Sequence, residues 1–183
     1  ARWVPWGGNK IPVNGHHRNG SGEYTGADVT DPASWMSFDA AANIIGKNCF
    51  VAGQKFHVAG IGFVVGDGWF CIDADGGEKH GRDPVPQDVI TDLCSRTQSY
   101  GEMPISGNGC HIFGKCDFET EKGKEHFSAS KTSYELEFFT RRKYVILTGN
   151  RIPGPGGDAI ECSEAARQIY DEYVLMPCIE REE

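Results

Sequence analysis

A chain of 183 residues, 39% hydrophobic and 11% aromatic, has the length of one domain and enough apolar content for a core, which excludes wholesale disorder. No apolar run approaches the roughly 18 residues of a membrane span, and no signal peptide is expected. The formal net charge of -8 argues against a nucleic-acid binder only as an average: Ala1 to Gly22 carries +3 and Phe138 to Arg151 +4, against -9 over Glu23 to Glu137 and -6 over Asp158 to Glu183.

The opening segment, Trp3 to Val13, is polar and loop-rich, and the Gly, Asn, Ser and His residues of Asn14 to Gly26 predict a mobile loop. Asp31-Pro32 reads as an N-cap with Pro at the first helical position, and Ser37 as the cap of a short helix over Phe38 to Ile45, stopped by Gly46. Val58 to Val65 and Trp69 to Asp75 read as two strands joined in a hairpin by Gly66-Asp67-Gly68. Pro84 and Pro86 open a helix with Val89, Ile90, Leu93 and Cys94 on one face. Two strands, Tyr100 to Ile105 and Cys110 to Phe113, flank a Gly-rich turn. A charged loop, Lys115 to Lys131, leads to a last strand pair, Tyr134 to Phe139 and Lys143 to Thr148. After a Pro/Gly linker at 150–157, Asp158 caps a terminal helix over 158–176, with Ile160, Ala166, Ile169, Tyr170 and Tyr173 on one face and Pro177 at its end. The expected fold class is α+β, a mainly antiparallel sheet with flanking helices, in a single domain spanning 1–183.

Seven cysteines, an odd and scattered set without C-x-x-C, point to a reducing cytoplasm rather than a disulfide framework. Cys110, His111 and Cys116 lack paired ligand arms, so no zinc is expected and the thiols read as buried.

Three patterns carry chemistry. Asp73 and Asp75 stand two apart on a strand, so their carboxylates share a face. Such a pair is costly without a cation. It reads either as a divalent-metal site of hard oxygen ligands for Mg²⁺ or Mn²⁺, or as a solvated strand end before Gly76-Gly77. Ser106-Gly107-Asn108-Gly109-Cys110-His111 reads as a tight turn or as a phosphate cradle, with Ser106, the Gly107 and Gly109 backbone, and His111 as contacts. Glu135 and Glu137 share a strand face, and the segment after them holds Arg141, Arg142, Lys143 and Arg151. It is either a basic hairpin turn or a set of cations for a polyphosphate.

These elements together resemble the bifunctional primase/polymerase (prim-pol) domain of the archaeo-eukaryotic primase superfamily, in its phage and plasmid replication form. Trp3-Val-Pro-Trp6, Lys10-x-Pro12 and Thr30-Asp31-Pro32-x-x-Trp35-x-Ser37-Phe38-Asp39-x-Ala41 are similar to the family's entrance. Gly60-Ile-Gly-Phe63 and Ile72-Asp73-Ala-Asp75 resemble its strand pair ending in the first catalytic motif, Ser106-Gly-x-Gly-x-His111 the second, and Glu137 with Lys143-Tyr144 and Thr148-Gly149 the third. The resemblance spans roughly Arg2 to Gly149.

It implies an RRM-like catalytic core and a DNA-directed primase/polymerase that joins NTPs or dNTPs by two-metal-ion chemistry in DNA replication. Asp73, Asp75 and Glu137 would be the metal-binding catalytic acids, with Mg²⁺ or Mn²⁺ as cofactor. Ser106, Gly107, Gly109, His111 and Lys143 would hold the triphosphate. Lys143 stands where the family usually has Arg, with Arg142 or Arg141 in a position to compensate. The implied partners are NTP or dNTP and single-stranded DNA template and primer. A helicase or accessory region beyond Glu183, in a longer replication protein, also follows, with no membrane and a cytoplasmic location. A metal-dependent phosphodiesterase or nuclease and a non-catalytic nucleotide- or single-strand-binding domain are the alternatives. The uneven charge predicts weak, salt-sensitive DNA binding by this chain alone.

Overall fold

The first half of the chain alternates short β-branched and aromatic stretches with Gly-rich turns, and these form strands. In a computed structural model, described over residues 1–76, 81–121, 126–128, 134–154 and 156–176, the chain is α+β and mostly strands. It divides into two compact units, Ala1–Val65 with Arg142–Leu147, and Gly66–Arg141 with Thr148–Glu183.

The first unit is a five-stranded mixed barrel. Strands β1 (Trp3–Gly7), β2 (Ile11–Arg18), β3 (Tyr24–Gly26), β4 (Asn48–Val51) and β5 (Gln54–Val64) pair in that order, and β5 closes back on β1. Only the β3–β4 pairing is parallel. A sixth strand, β11 (Tyr144–Ile146), joins β5 at Gly62 to Val64. The barrel holds Val13, Tyr24, Met36, Ala41, Ile44, Cys49, Val51 and Val58. The glycines of Gly60-Ile-Gly-Phe63 have a packing reason. A Cβ on Gly62 would lie 2.5 Å from the Tyr144 ring, and one on Gly60 2.8 Å from Trp6. Both rings lie across β5 because the glycines leave room.

The Asn14 to Gly26 segment is strand at both ends, not a mobile loop. Arg18 explains the order: it donates to the Gly22 carbonyl at 2.7 Å and to the Tyr24 hydroxyl at 2.6 Å, and lies over the Tyr24 ring. The two caps form as read. Asp31 accepts from Ala33 N–H at 2.9 Å and opens a 3-10 turn over Pro32–Ser34; Ser37 accepts from Ala40 N–H and opens α1 (Phe38–Ala42). The chain then turns as far as Gly46 without remaining helical to Ile45.

The second unit is an antiparallel sheet with two helices on one face. Its strands are β6 (Trp69–Asp75), β7 (Tyr100–Glu102), β8 (Cys110–Lys115), β9 (His126–Ser128) and β10 (Glu135–Phe139), in the order β7-β8-β6-β10-β9. Phe70, Ile72, Ala74, Cys110, Ile112, Leu136 and Phe138 face α2 (Gln87–Thr97) and α3 (Ser163–Tyr170), meeting Ile90, Leu93, Ala166, Ile169 and Tyr170. Burying these side chains contributes on the order of 1.5–3 kcal/mol for each large aliphatic or aromatic one.

Four expectations are corrected here. The strands at 58–65 and 69–75 both form, but not as a hairpin. β5 has β1 along one edge and β4 then β11 along the other, while β6 pairs with β8 and β10. The strands at 134–139 and 143–148 are likewise unpaired with each other: β10 joins β6 and β9, and β11 joins β5. The charged segment after Lys115 contains β9. Finally, Asp158 does not cap the last helix. Lys115 N–H donates to the Ile160 carbonyl and Cys162 N–H to the Lys115 carbonyl, so these residues are held extended and α3 starts at Ser163. Ile160 is accordingly exposed rather than on the core face. Gly77, Lys131 and Pro177 lie outside the described residues.

The cysteines at 49, 71, 94, 110, 116 and 162 carry free thiols. Among the described residues no helix is long and apolar enough to cross a membrane.

Candidate functional site

The helices cover one face of the β7-β8-β6-β10-β9 sheet, and the alternation of strand side chains puts every other residue on the opposite face. The cross-strand register orders that face into rows. One row is apolar: Phe139 opposite Cys71, Cys71 opposite Phe113, and Phe113 opposite Tyr100. The next is polar throughout. Glu137 is opposite Asp73, Asp73 opposite His111, and His111 opposite Glu102. One step further, Glu135 is opposite Asp75. Directly opposed residues of a ladder lie side by side on one face. Residues far apart in sequence thus form a continuous line of carboxylates and imidazole across four strands.

The line grades from solvent to interior. The Asp73 side chain is 17% exposed, that of His111 11%, and that of Glu102 0%. His111 stands between two carboxylates, its Nε2 3.5 Å from Asp73 Oδ1 and its Nδ1 3.4 Å from Glu102 Oε1. Glu102 also accepts from Thr148 N–H at 3.0 Å, from Gly149 N–H at 3.0 Å and from the Tyr100 hydroxyl at 2.8 Å. Burial pushes the Glu102 carboxyl up, but hydrogen bonds from His111, Thr148, Tyr100 and Gly149 outweigh it and hold the group below its ordinary 4.5. Burial, together with the bond to Glu102, pushes the Tyr100 phenol up.

The glycine turn sits at the same end of the sheet. A Cβ on Gly109 would fall 1.9 Å from the Ala74 carbonyl oxygen, so only glycine lets this turn press on β6 beside Asp75. Gly107 N–H donates to the Pro104 carbonyl at 3.0 Å, and Asn108 N–H to Ser106 Oγ at 3.4 Å. The Gly107 amide is therefore engaged within the turn, contrary to a reading in which it is offered to an anion. Val85 N–H donates to the Asn108 carbonyl at 3.1 Å, tying the turn to the segment before α2. Asp75 Oδ1 accepts from Gly76 N–H at 2.9 Å, and Glu135 is ion-paired with Arg82.

The sheet thus brings together Asp73, Asp75, Glu137 and His111, with Gly109 against Asp75 and Ser106 and Gly107 on the exposed part of the same turn. Lys143 and Arg142 belong to the barrel unit, where their backbone groups pair with Val65, and are not among the residues this sheet assembles. Arg141 is held by Glu119 at 2.9 Å. Glu102, Tyr100, Arg82 and the amides of Thr148 and Gly149 were not singled out as site groups from the sequence. The one available signal was an acid inside a short strand otherwise made of Tyr and Gly.

Three carboxylates on one face of the sheet are the donor type that suits a divalent cation of the Mg²⁺ or Mn²⁺ class. Among the described residues no three His, Cys, Asp or Glu side chains are grouped closely enough to hold a metal ion; backbone register and a shared face are what join Asp73, Asp75 and Glu137. No protein-family model and no curated protein matches the chain.

Proposed function

We propose that the chain is the catalytic module of a DNA primase/polymerase of the archaeo-eukaryotic primase type, a template-dependent nucleotidyltransferase whose RRM-like core is the sheet of the second unit. The observation that carries this reading is the row Glu137–Asp73–His111, with Asp75 one step along the same face. The spacing of the three sequence motifs resembles that family, and the strand pairing makes the acids of the first and third neighbours.

In this reading Asp73, Asp75 and Glu137 would hold the divalent ions. When bound, such ions neutralise the triphosphate and activate the attacking hydroxyl. The residues of the chain do the rest by position. Asp73 and Asp75 present a doubly negative face that selects for cations and repels an unaccompanied phosphate. In this reading the exposed Ser106 hydroxyl and His111 Nε2, which lies 3.5 Å from Asp73 Oδ1, would contact phosphate oxygens at the same sheet end. Gly107 and Gly109 shape the turn that carries Ser106. A 3′-hydroxyl attacks the α-phosphate of the incoming nucleotide, forming the new phosphodiester and releasing pyrophosphate. The rate gain comes from positioning and electrostatics.

Primer extension with labelled dNTPs in Mg²⁺ or Mn²⁺ tests the proposal. Lengthened products from the unaltered chain, lost in Asp73→Ala and Asp75→Ala, support it. Shortened products would make the protein a nuclease. No product, with dNTP affinity indifferent to metal and to Asp73, would make it a non-catalytic binding domain.

A further inference from the structure

Glu102 is the most buried charged group on this face and the best supplied with donors. Three converge on its two oxygens, Thr148 N–H on Oε1 and Gly149 N–H and the Tyr100 hydroxyl on Oε2, and His111 Nδ1 stands 3.4 Å from Oε1. A carboxylate accepts at both oxygens, whereas glutamine would turn an NH₂ toward one pair of donors. The position therefore demands a carboxylate, not merely a polar filler. A buried ion is tolerated when its lone pairs are filled this way.

We propose that Glu102 is a positioning residue that acts through His111. By accepting from Nδ1, it fixes the ring in the polar row and turns Nε2 toward Asp73. The inference rests on the nucleotidyltransferase reading for its consequence, though not for its geometry. Three constraints define the ring. Glu102 holds Nδ1, Asp73 Oδ1 stands 3.5 Å from Nε2, and Phe113 meets the ring at 83° with centroids 6.4 Å apart. The hydrogen bond made by one imidazole nitrogen sets which face of chemistry the other presents. The same carboxylate accepts from the Thr148 and Gly149 amides, so the 148–149 backbone is fastened to the strand that orients the histidine.

The direct test is long-range ¹H–¹⁵N correlation of ¹⁵N-histidine-labelled protein without metal or nucleotide. A proton on His111 Nδ1 is expected in the unaltered chain. An unprotonated Nδ1 there overturns the proposal, whatever the variants do. In Glu102→Leu, which leaves no acceptor for Nδ1, the Nδ1 proton should be lost or shared with Nε2; an unchanged tautomer overturns it. The second arm is a double-mutant cycle in primer extension. Glu102→Gln should lower incorporation by about 10–100-fold, the usual effect of losing the partner of a functional imidazole, with Glu102→Asp recovering part of it. In a His111→Gln background with measurable incorporation, Glu102→Gln should cost little more. An equal loss in both backgrounds would reduce Glu102 to an anchor of the 148–149 turn. If the unaltered chain incorporates nothing, the polymerase reading falls, and the tautomer measurement still decides the role of Glu102.

Discussion

The barrel unit and the sheet unit differ in the sign of their charge and in how their acids are placed. The barrel unit contains Arg2, Lys10, Arg18, Lys47, Lys55, Arg142 and Lys143 against Glu23, Asp28, Asp31 and Asp39, a net +3; the sheet unit carries the balance, -11. Cations lie on rings in both units: Arg18 is 3.9 Å from the Tyr24 centroid and Arg2 4.5 Å from that of Trp35 in the barrel unit, and Arg167 is 3.8 Å from that of Phe118 in the sheet unit. Such contacts are worth about 0.5–1 kcal/mol at exposed sites. In the sheet unit acids line up beside one another across strands, an arrangement that costs stability unless something compensates. Stability alone would not select the second pattern. A net charge taken over the whole chain hides this division.

The largest expected effect separates the units by activity. Asp73→Ala in the sheet should lower primer extension on the order of 10³-fold, the scale of losing a principal charge-stabilising group. Asp39→Ala, on the exposed face of α1, should change it by no more than about twofold, as surface replacements shift free energy within roughly 0.5 kcal/mol. Equal losses from both would break the comparison.

Packing comes next. Phe138 is fully buried and stacks on Phe70 with centroids 5.3 Å apart. Phe138→Ala should cost about 3–5 kcal/mol by chemical denaturation. In the barrel unit the sensitive change is the reverse, an addition. Gly62→Ala should cost about 1–3 kcal/mol, because its methyl group would meet the Tyr144 ring. Removing the α1 cap with Ser37→Ala should cost about 1 kcal/mol.

The pH dependence sharpens the contrast further. Glu102 has its pKa lowered on folding from an ordinary 4.5, so its ionised form stabilises the native state at neutral pH. That contribution is present above the unfolded value and is lost as pH falls through the lower folded value. The stability of the unaltered chain to thermal unfolding should fall on acidification below about 4.5, and Glu102→Gln should remove that component of the slope. A Glu102→Gln curve parallel to the unaltered one would contradict it.

Local features were legible before the fold. Asp31 and Ser37 cap as read, because an N-cap depends only on the next two or three residues. The shared face of Asp73 and Asp75 followed from strand parity. What joined them to Glu137 did not, since that needs β6 to pair with β10, more than sixty residues on. Glu102 was invisible for the same reason. Its role needs the β7–β8 register and the return of Thr148 and Gly149, neither of which leaves a local pattern. The barrel was missed because Asn14 to Arg18 is polar, and its strand character comes from pairing and from Arg18 rather than from hydrophobic alternation.

The most direct test of the central claim is anomalous scattering from crystals grown with Mn²⁺ and a non-hydrolysable dNTP. The account predicts Mn²⁺ held by Asp73, Asp75 and Glu137, with the triphosphate reaching Ser106 and His111. Bound nucleotide with its Mn²⁺ away from these three carboxylates would contradict it.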